Sequence, residues 1–164
     1  MKLYTILIAS VAALGGLLFG FDTAVIAGTI TPLKSYFNLG DAEIGFLVAA
    51  ASIGCIPGAF FAGRFADHFG RKKMMAATAL LFIIAALGSG VAGSFAQLVI
   101  YRFIGGIAIG MASTLAPIYI SEIAPPAFRG RLGMLQQLAI VMGILLAFIS
   151  NYFIANADYS FLAN

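Results

Sequence analysis

Charged side chains are scarce in this sequence of 164 residues: Asp, Glu, Lys and Arg make up 9% of it, against about 25% in an ordinary globular domain. With 62% hydrophobic residues, a soluble fold of this length would leave a large apolar surface in water. Cys55 is the only cysteine and His68 the only histidine, so neither an intrachain disulfide nor a Cys-based metal site is possible. No His/Glu cluster or Ser/His/Asp set indicates an enzyme, and we expect no metal and no cofactor.

Long apolar runs separate the few charged segments of the sequence. Each is close to the roughly 20 residues that a helix needs to cross a bilayer, and lipid admits spanning helices but not open strands. We therefore predict an all-α, multispanning membrane helix bundle in the lipid bilayer, with spans at about 4–27, 44–61, 74–93, 98–120 and 132–154.

The cations between the runs predict the orientation of the bundle. If the N-terminus is cytoplasmic, Lys34 alone among the loop cations lies outside, and Arg102 lies within a span. This is a strong positive-inside bias, and it argues against a basic face for nucleic acid. The segment Gly28–Glu43 is then an external loop, in which Asn38 or Asp41 caps the second helix. The inside cations are Lys2, Arg64, Arg71, Lys72, Lys73, Arg129 and Arg131.

Two ionisable residues lie inside the spans. Asp22 lies near the outer end of the first and Arg102 near the outer start of the fourth, so both are about 8 Å below the outer surface. A charge at this depth is costly unless it is paired or hydrated, and it marks a functional site. We expect the two side chains to form an ion pair. The alternative is that each reaches the interface separately.

Glycines spaced four apart suggest how the spans pack. Gly16 and Gly20 on the first span and Gly106 and Gly110 on the fourth have the GxxxG spacing that lets two helix backbones approach closely. We expect these spans to pack on each other through these glycines, which would bring Asp22 to its partner. General bundle packing without a preferred partner is the alternative.

The loop between the second and third spans carries a motif beyond simple positive charge. It reads Gly63-Arg-Phe-Ala-Asp67-His68-Phe-Gly70-Arg71-Lys72. This resembles the signature of the major facilitator superfamily, G-x-x-x-D-R/K-x-G-R/K-R/K. His68 departs from it, standing where the family usually has Arg or Lys. A pH-sensitive loop is one consequence of that histidine, and a plain surface histidine is the alternative.

Two longer blocks narrow the resemblance to the sugar porters. One is Gly15-Gly-Leu-Leu-Phe-Gly-Phe-Asp22-Thr-Ala-Val-Ile-Ala-Gly28; the other runs from Tyr101-Arg102-Phe-Ile-Gly-Gly106 through Pro117-Ile-Tyr-Ile-Ser-Glu122-Ile-Ala-Pro125 to Arg129-Gly130. The likeness continues from Gln136 to Asn151 and is nearest to bacterial sugar/proton symporters. It implies a twelve-helix major facilitator fold, of which this chain is the N-terminal five helices, a partial six-helix bundle at 1–164.

The resemblance also implies roles for particular residues. Asp22 matches the proton-site acid and Arg102 its partner. Gln137 matches a sugar-binding glutamine and Phe19 an aromatic residue of the sugar cavity. The signature residues Gly63, Asp67, Gly70, Arg71 and Lys72 match a cytoplasmic gate. Glu122 and Arg129, from the block after the fourth span, match the salt-bridge network that closes this gate together with Arg71.

The chemistry of a sugar agrees with these residue types. Amide side chains both donate to and accept from hydroxyls, and an aromatic face suits the C–H surface of the ring. Gln136 is a second candidate for such a contact. The alternatives are an interhelical hydrogen bond for either glutamine and ordinary packing or lipid contact for Phe19.

We therefore expect a secondary active transporter that imports a pentose or hexose by proton symport through alternating access, in the cell membrane. The partners are the monosaccharide, the proton, the bilayer and the missing C-terminal half of the carrier. The competing functions are a passive sugar facilitator, another major facilitator transporter and an inactive, truncated fragment, with a membrane enzyme a remote alternative.

Overall fold

Five long α-helices make up the structure, a computed structural model that describes the backbone of residues 3–162 and the side chains of residues 7–156. Lys2 lies outside the described residues. The described range contains no strand, and the predicted all-α fold is confirmed. All five helices are long and apolar enough to cross a membrane. They are α1 (Leu3–Phe37), α2 (Asp41–Phe69), α3 (Arg71–Gly90), α4 (Phe95–Ile123) and α5 (Arg129–Leu162), with a short 3-10 helix at Pro126–Phe128 before α5.

The external loop predicted at Gly28–Glu43 is wrong for most of its length. The first helix continues to Phe37, and only residues 38–40 separate it from α2. Polar residues end a membrane span but not a helix, because hydroxyls such as those of Thr29 and Ser35 donate to carbonyls of their own helix. Pro32 lies within this continuous helix.

The predicted cap of α2 is also wrong. Gly40 precedes the helix in an extended conformation, and its N–H donates to the Glu43 carboxylate at 2.8 Å. Asn38 adopts a positive φ of 53° at the end of α1, a conformation that asparagine tolerates better than most residues. Asp41 instead accepts a hydrogen bond from Lys34, which clamps the two helix ends across the turn.

A single residue connects α2 to α3. Gly70 has φ 89° and ψ 143°, a conformation open almost only to glycine, and this lets the chain reverse between two antiparallel helices. We call the end of the bundle that holds this turn the basic end. The connection between α4 and α5 lies there too, where Pro125 follows the last helical residues of α4.

Two helix pairs make the most extensive contacts, α1 with α5 and α2 with α4, and α3 packs mainly on α4. The glycines mediate these pairs. A methyl group added at Gly20 would overlap the Ile140 carbonyl of α5, and one added at Gly106 would overlap the Ala51 carbonyl of α2. The expectation that these glycines join α1 to α4 is therefore wrong, although α1 and α4 do touch.

Candidate functional site

An ion pair joins α1 to α4 within the bundle. Nη1 of Arg102 lies 2.9 Å from Oδ1 and 3.0 Å from Oδ2 of Asp22. The Arg102 side chain is 8% exposed and that of Asp22 is 28% exposed, so the pair is largely removed from the surface. The contact expected between these two residues is present, without the direct glycine-mediated packing expected to produce it.

Arg102 has donors beyond those that Asp22 uses. Its Nε is buried and has no hydrogen-bond partner in the described part of the chain. A charged donor without a partner is costly in a low-dielectric interior. The hydrogen bonds of the guanidinium to Asp22 therefore come from Nη1 alone, and its interaction with the bundle depends on the charge of that single carboxylate.

The two candidate sugar-binding glutamines occupy different environments. Gln137 is exposed on α5. Gln136 is 7% exposed, lies against Gly16 of α1, and leaves its buried Oε1 without a partner in the described residues. The alternative of an interhelical hydrogen bond is not realised for this oxygen.

Phe19 is half-buried rather than open to lipid. It packs on an apolar cluster of α3 and α4 that contains Phe82, Ala108, Ile109 and Ala112. The structure thus places one side of Phe19 in the core near Asp22 and leaves the rest accessible, which is compatible with both of the roles considered for it.

Asn151 was not among the candidate residues, and the structure shows it in a defined contact. Its Nδ2 donates to the carbonyl of Val25 at 3.3 Å, and its side chain fills the space above Gly28. This contact ties α5 to the helix that carries Asp22, one turn beyond the carboxylate. An amide within an otherwise apolar span is the sequence signal that indicates such a contact.

At the basic end, Arg71 bridges two acids. Its Nη1 donates to Asp67 on α2 and its Nε to Glu122 on α4 at 3.1 Å. Gly63 has open space where a side chain would lie. The loop charges therefore link three helices through one guanidinium.

The remaining predicted gate cations lie apart from this network. Nε of Arg129 donates to the carbonyl of Ala124 at the end of α4, and among the described residues Glu122 pairs with Arg71 and not with Arg129. Lys72 lines a groove between α1, α3 and α4. His68 is exposed and meets the Phe69 ring edge to face at 4.7 Å.

That groove has a volume of about 630 Å³ and is mostly apolar. Thr78 and Tyr119 are among its few polar side chains, and it includes none of the predicted sugar-binding residues. An aliphatic lining suits a helix or a lipid chain better than a polyhydroxylated ligand. The structure thus separates the groove from the face that carries Gln137.

Comparison with known proteins identifies the family. The family described as "Sugar (and other) transporter" matches residues 8–161. The chain belongs to this sugar transporter family. The glucose transport protein of Synechocystis is 49% identical over 93% of the chain, and the D-xylose-proton symporter of Escherichia coli K12 is 42% identical over 97%.

A solved member of the family shares the fold. The inward-open xylose transporter XylE of E. coli superposes with a TM-score of 0.86 at 43% identity, covering 93% of this chain. This confirms the resemblance to sugar porters and the major facilitator fold. The chain spans 32% of the Synechocystis relative, 38% of the E. coli symporter and 40% of the solved XylE chain, and it corresponds to the N-terminal part of such carriers.

Proposed function

We propose that this chain supplies the N-terminal bundle of a carrier that imports a monosaccharide, a pentose or a hexose, together with protons. The observation that carries the proposal is the largely buried Asp22–Arg102 ion pair. Its relatives support the substrate class, since they include a D-xylose-proton symporter and an arabinose-proton symporter. The cargo is then a sugar and a proton, and the remainder of the cavity comes from the C-terminal half of the carrier.

Proton coupling follows from the geometry of the pair. Protonation of Asp22 removes the negative charge that Nη1 of Arg102 contacts at 2.9 and 3.0 Å. A neutral acid binds the guanidinium less strongly, and the unpartnered Nε offers no second attachment within the described residues. The junction between α1 and α4 then loosens, and the bundle rearranges in an alternating-access cycle. Deprotonation restores the junction and resets the carrier.

Sugar binding is assigned to the accessible face of α1 and α5. Gln137 presents an exposed amide, and Phe19 presents the accessible part of its ring close in sequence to Asp22. Gln136 is buried, so it packs beneath this face and does not itself form a hydrogen bond with the sugar. The Arg71 bridge between Asp67 and Glu122 serves as the cytoplasmic gate.

The orientation proposed is a cytoplasmic N-terminus in the cell membrane. Support comes from the bundle ends: Lys34 lies at the end opposite the basic end, and the remaining described loop cations lie at the basic end. Cations are retained on the cytoplasmic side of a membrane. Asp22 and Arg102 then lie in the outer half of the bilayer, where a proton enters first.

The test joins this chain to the remainder of a known carrier. The chain replaces the matching N-terminal segment of the E. coli D-xylose-proton symporter in cells without other xylose uptake, and accumulation of radiolabelled D-xylose is measured with and without a protonophore. We expect accumulation that the protonophore abolishes. An Asp22→Asn variant should retain exchange of internal for external xylose but lose accumulation.

Each other outcome has a definite meaning. Uptake that equilibrates without accumulating would show a passive facilitator. Proton-driven accumulation by Asp22→Asn would remove that carboxylate from the coupling mechanism. The 164-residue chain expressed alone is the control, and the fragment alternative predicts that it transports nothing.

A further inference from the structure

A pattern of glycines occurs twice in the chain. Gly15, Gly16 and Gly20 on α1 have the same spacing as Gly105, Gly106 and Gly110 on α4, 90 positions later. A repeated motif alone is weak evidence of structural equivalence, but the contacts of these glycines can be compared directly.

The contacts repeat in register. A methyl group on Gly106 would meet the carbonyl of Ala51, and one on Gly16 would meet that of Gln136 at 2.9 Å. The two carbonyls lie 85 positions apart, on α2 and α5. Gly110 and Gly20 repeat the relation, since they face the carbonyls of residues 55 and 140, again 85 positions apart.

Glycines of α2 and α5 that face carbonyls of α4 and α1 show the same offsets of 85 and 90 positions. Gly58 of α2 faces the carbonyl of Ile107, and Gly143 of α5 faces the carbonyl of Leu17. Residues 58 and 143 differ by 85 positions, and residues 17 and 107 by 90. Independent contacts on both helix pairs thus fix one correspondence, in which α1 matches α4 and α2 matches α5.

This correspondence also relates the surfaces of the bundle. Successive spans alternate in direction, so α1 and α4 run in opposite directions, as do α2 and α5. The two pairs are therefore related by a rotation about an axis in the membrane plane. A residue of α5 therefore has a counterpart on α2 that is oriented toward α4 as the first residue is oriented toward α1, at the mirrored depth.

The counterpart of Gln137 is Ser52. It is exposed like Gln137, and it is the only hydroxyl-bearing residue between Ile44 and Gly63. Several hydroxyls of the described helices, such as those of Thr23 and Ser113, donate to a carbonyl of the preceding turn. Ser52 makes no such bond in the described structure, a property that it shares with Thr31 and Ser89. An unbonded hydroxyl is costly against lipid and stable against water.

We infer that Ser52 lines the sugar pathway from α2 as Gln137 does from α5, and that its hydroxyl contacts the sugar. Ser52 lies in the outward half of its span, and Gln137 lies in the inward half of α5. The sugar thus passes one polar contact on each side of the bilayer centre. This inference rests on the proposed function for its sugar contact, and on the glycine contacts for its position.

Thiol labelling tests the position. All 164 residues are joined to the remainder of the E. coli symporter as above, with Cys55→Ala and any cysteines of that remainder replaced. Single variants Ser52→Cys, Gln137→Cys and, as a matched control, the adjacent exposed Ile53→Cys are treated with a membrane-impermeant, water-soluble maleimide in permeabilised cells, with and without D-xylose. We expect rapid labelling at 52 and 137, slowed severalfold by xylose, and little labelling at 53.

Transport kinetics test the contact. A Ser52→Ala variant should raise the KM for D-xylose about threefold to tenfold, the effect of one lost hydrogen bond, with kcat largely retained. Ser52→Thr, which restores the hydroxyl, should return KM toward that of the parent. A merely structural role for Ser52 would reduce the amount of folded carrier without this rescue.

Labelling at 52 that is absent, or that xylose leaves unchanged while it protects 137, would overturn the inference. So would an unchanged KM in Ser52→Ala. If the parent chimera transports no xylose, the proposed function fails instead, and equal water accessibility of 52 and 137 then still decides whether the two positions share one aqueous face.

Discussion

The ion pair between α1 and α4 binds two charges whose separation would be costly. Removing Asp22 leaves Arg102, 8% exposed, without its partner, and removing Arg102 leaves Asp22, 28% exposed, without its own. We expect Arg102→Met alone to destabilise the folded bundle by about 3–5 kcal/mol, and the double variant with Asp22→Asn to cost clearly less than the sum of the two single changes. Denaturant unfolding of the purified protein in detergent provides the four free energies.

The exposed pair Lys34–Asp41 is the matched control for that cycle. Its side chains are 48% and 93% exposed, so solvent screens their attraction. The same cycle with Lys34→Met and Asp41→Asn should show little coupling. Equal coupling in the two cycles would mean that burial does not distinguish the pairs.

At the basic end, Arg71 rather than Arg129 is the partner of Glu122. We expect Arg71→Gln and Glu122→Gln to be coupled in their effect on the thermal midpoint, and Arg129→Gln and Glu122→Gln to be additive. Thermal unfolding of the single and double variants measures both pairs. Coupling between 129 and 122 alone would contradict the assignment of Arg71 as the partner of Glu122.

Residue-level prediction succeeded where chemistry left few choices. The bundle has one acid and one guanidinium at membrane depth, so pairing Asp22 with Arg102 required no knowledge of helix packing. At the basic end, cations outnumber acids, so several of them could pair with Glu122. Which one does so depends on loop geometry. Arg129 lies where the chain turns through the 3-10 helix, which directs it to a carbonyl of α4.

At the scale of the helices, the glycines set how closely two backbones approach. A methyl group at Gly20 would overlap the Ile140 carbonyl, and α1 and α5 would have to separate. We expect Gly20→Ala to destabilise the bundle by about 1–3 kcal/mol. Gly133→Ala, on α5 with nothing within 4 Å, is the control and should be neutral or slightly stabilising. Denaturant unfolding in detergent measures both, and equal effects would show that close approach is not required.

Helix existence was predictable from the sequence, but helix partners and ends were not. Apolar length predicts each span, because the bilayer sets how many residues are needed. The GxxxG pattern shows which face of a helix is small, yet not which neighbour it meets, so the pairing of α1 with α4 was wrong. The end of α1 was missed because hydropathy detects the edge of the membrane, and α1 continues to Phe37 beyond its predicted span end at residue 27.

At the scale of the whole molecule, the correspondence between α1 and α4 shows an uncovered face. On α4, Tyr101 packs on Gly88 of α3 and Ala108 packs on Phe82. The matching row of α1, 90 positions earlier, includes Val11 and Leu18, which are exposed together with Leu7 and Leu14 along the 630 Å³ groove. This row repeats the row that α3 covers.

We therefore expect a further helix of the carrier to cover α1 as α3 covers α4. A spin label at Leu14→Cys, in a Cys55→Ala background, should collide freely with oxygen when the chain alone is in liposomes and much less in the chimera with the E. coli symporter. Leu80→Cys, exposed on α3, is the control and should stay oxygen-accessible in both. Unchanged accessibility at 14 would mean that lipid covers this face of α1 in the whole carrier, and that the internal correspondence does not extend to a third helix.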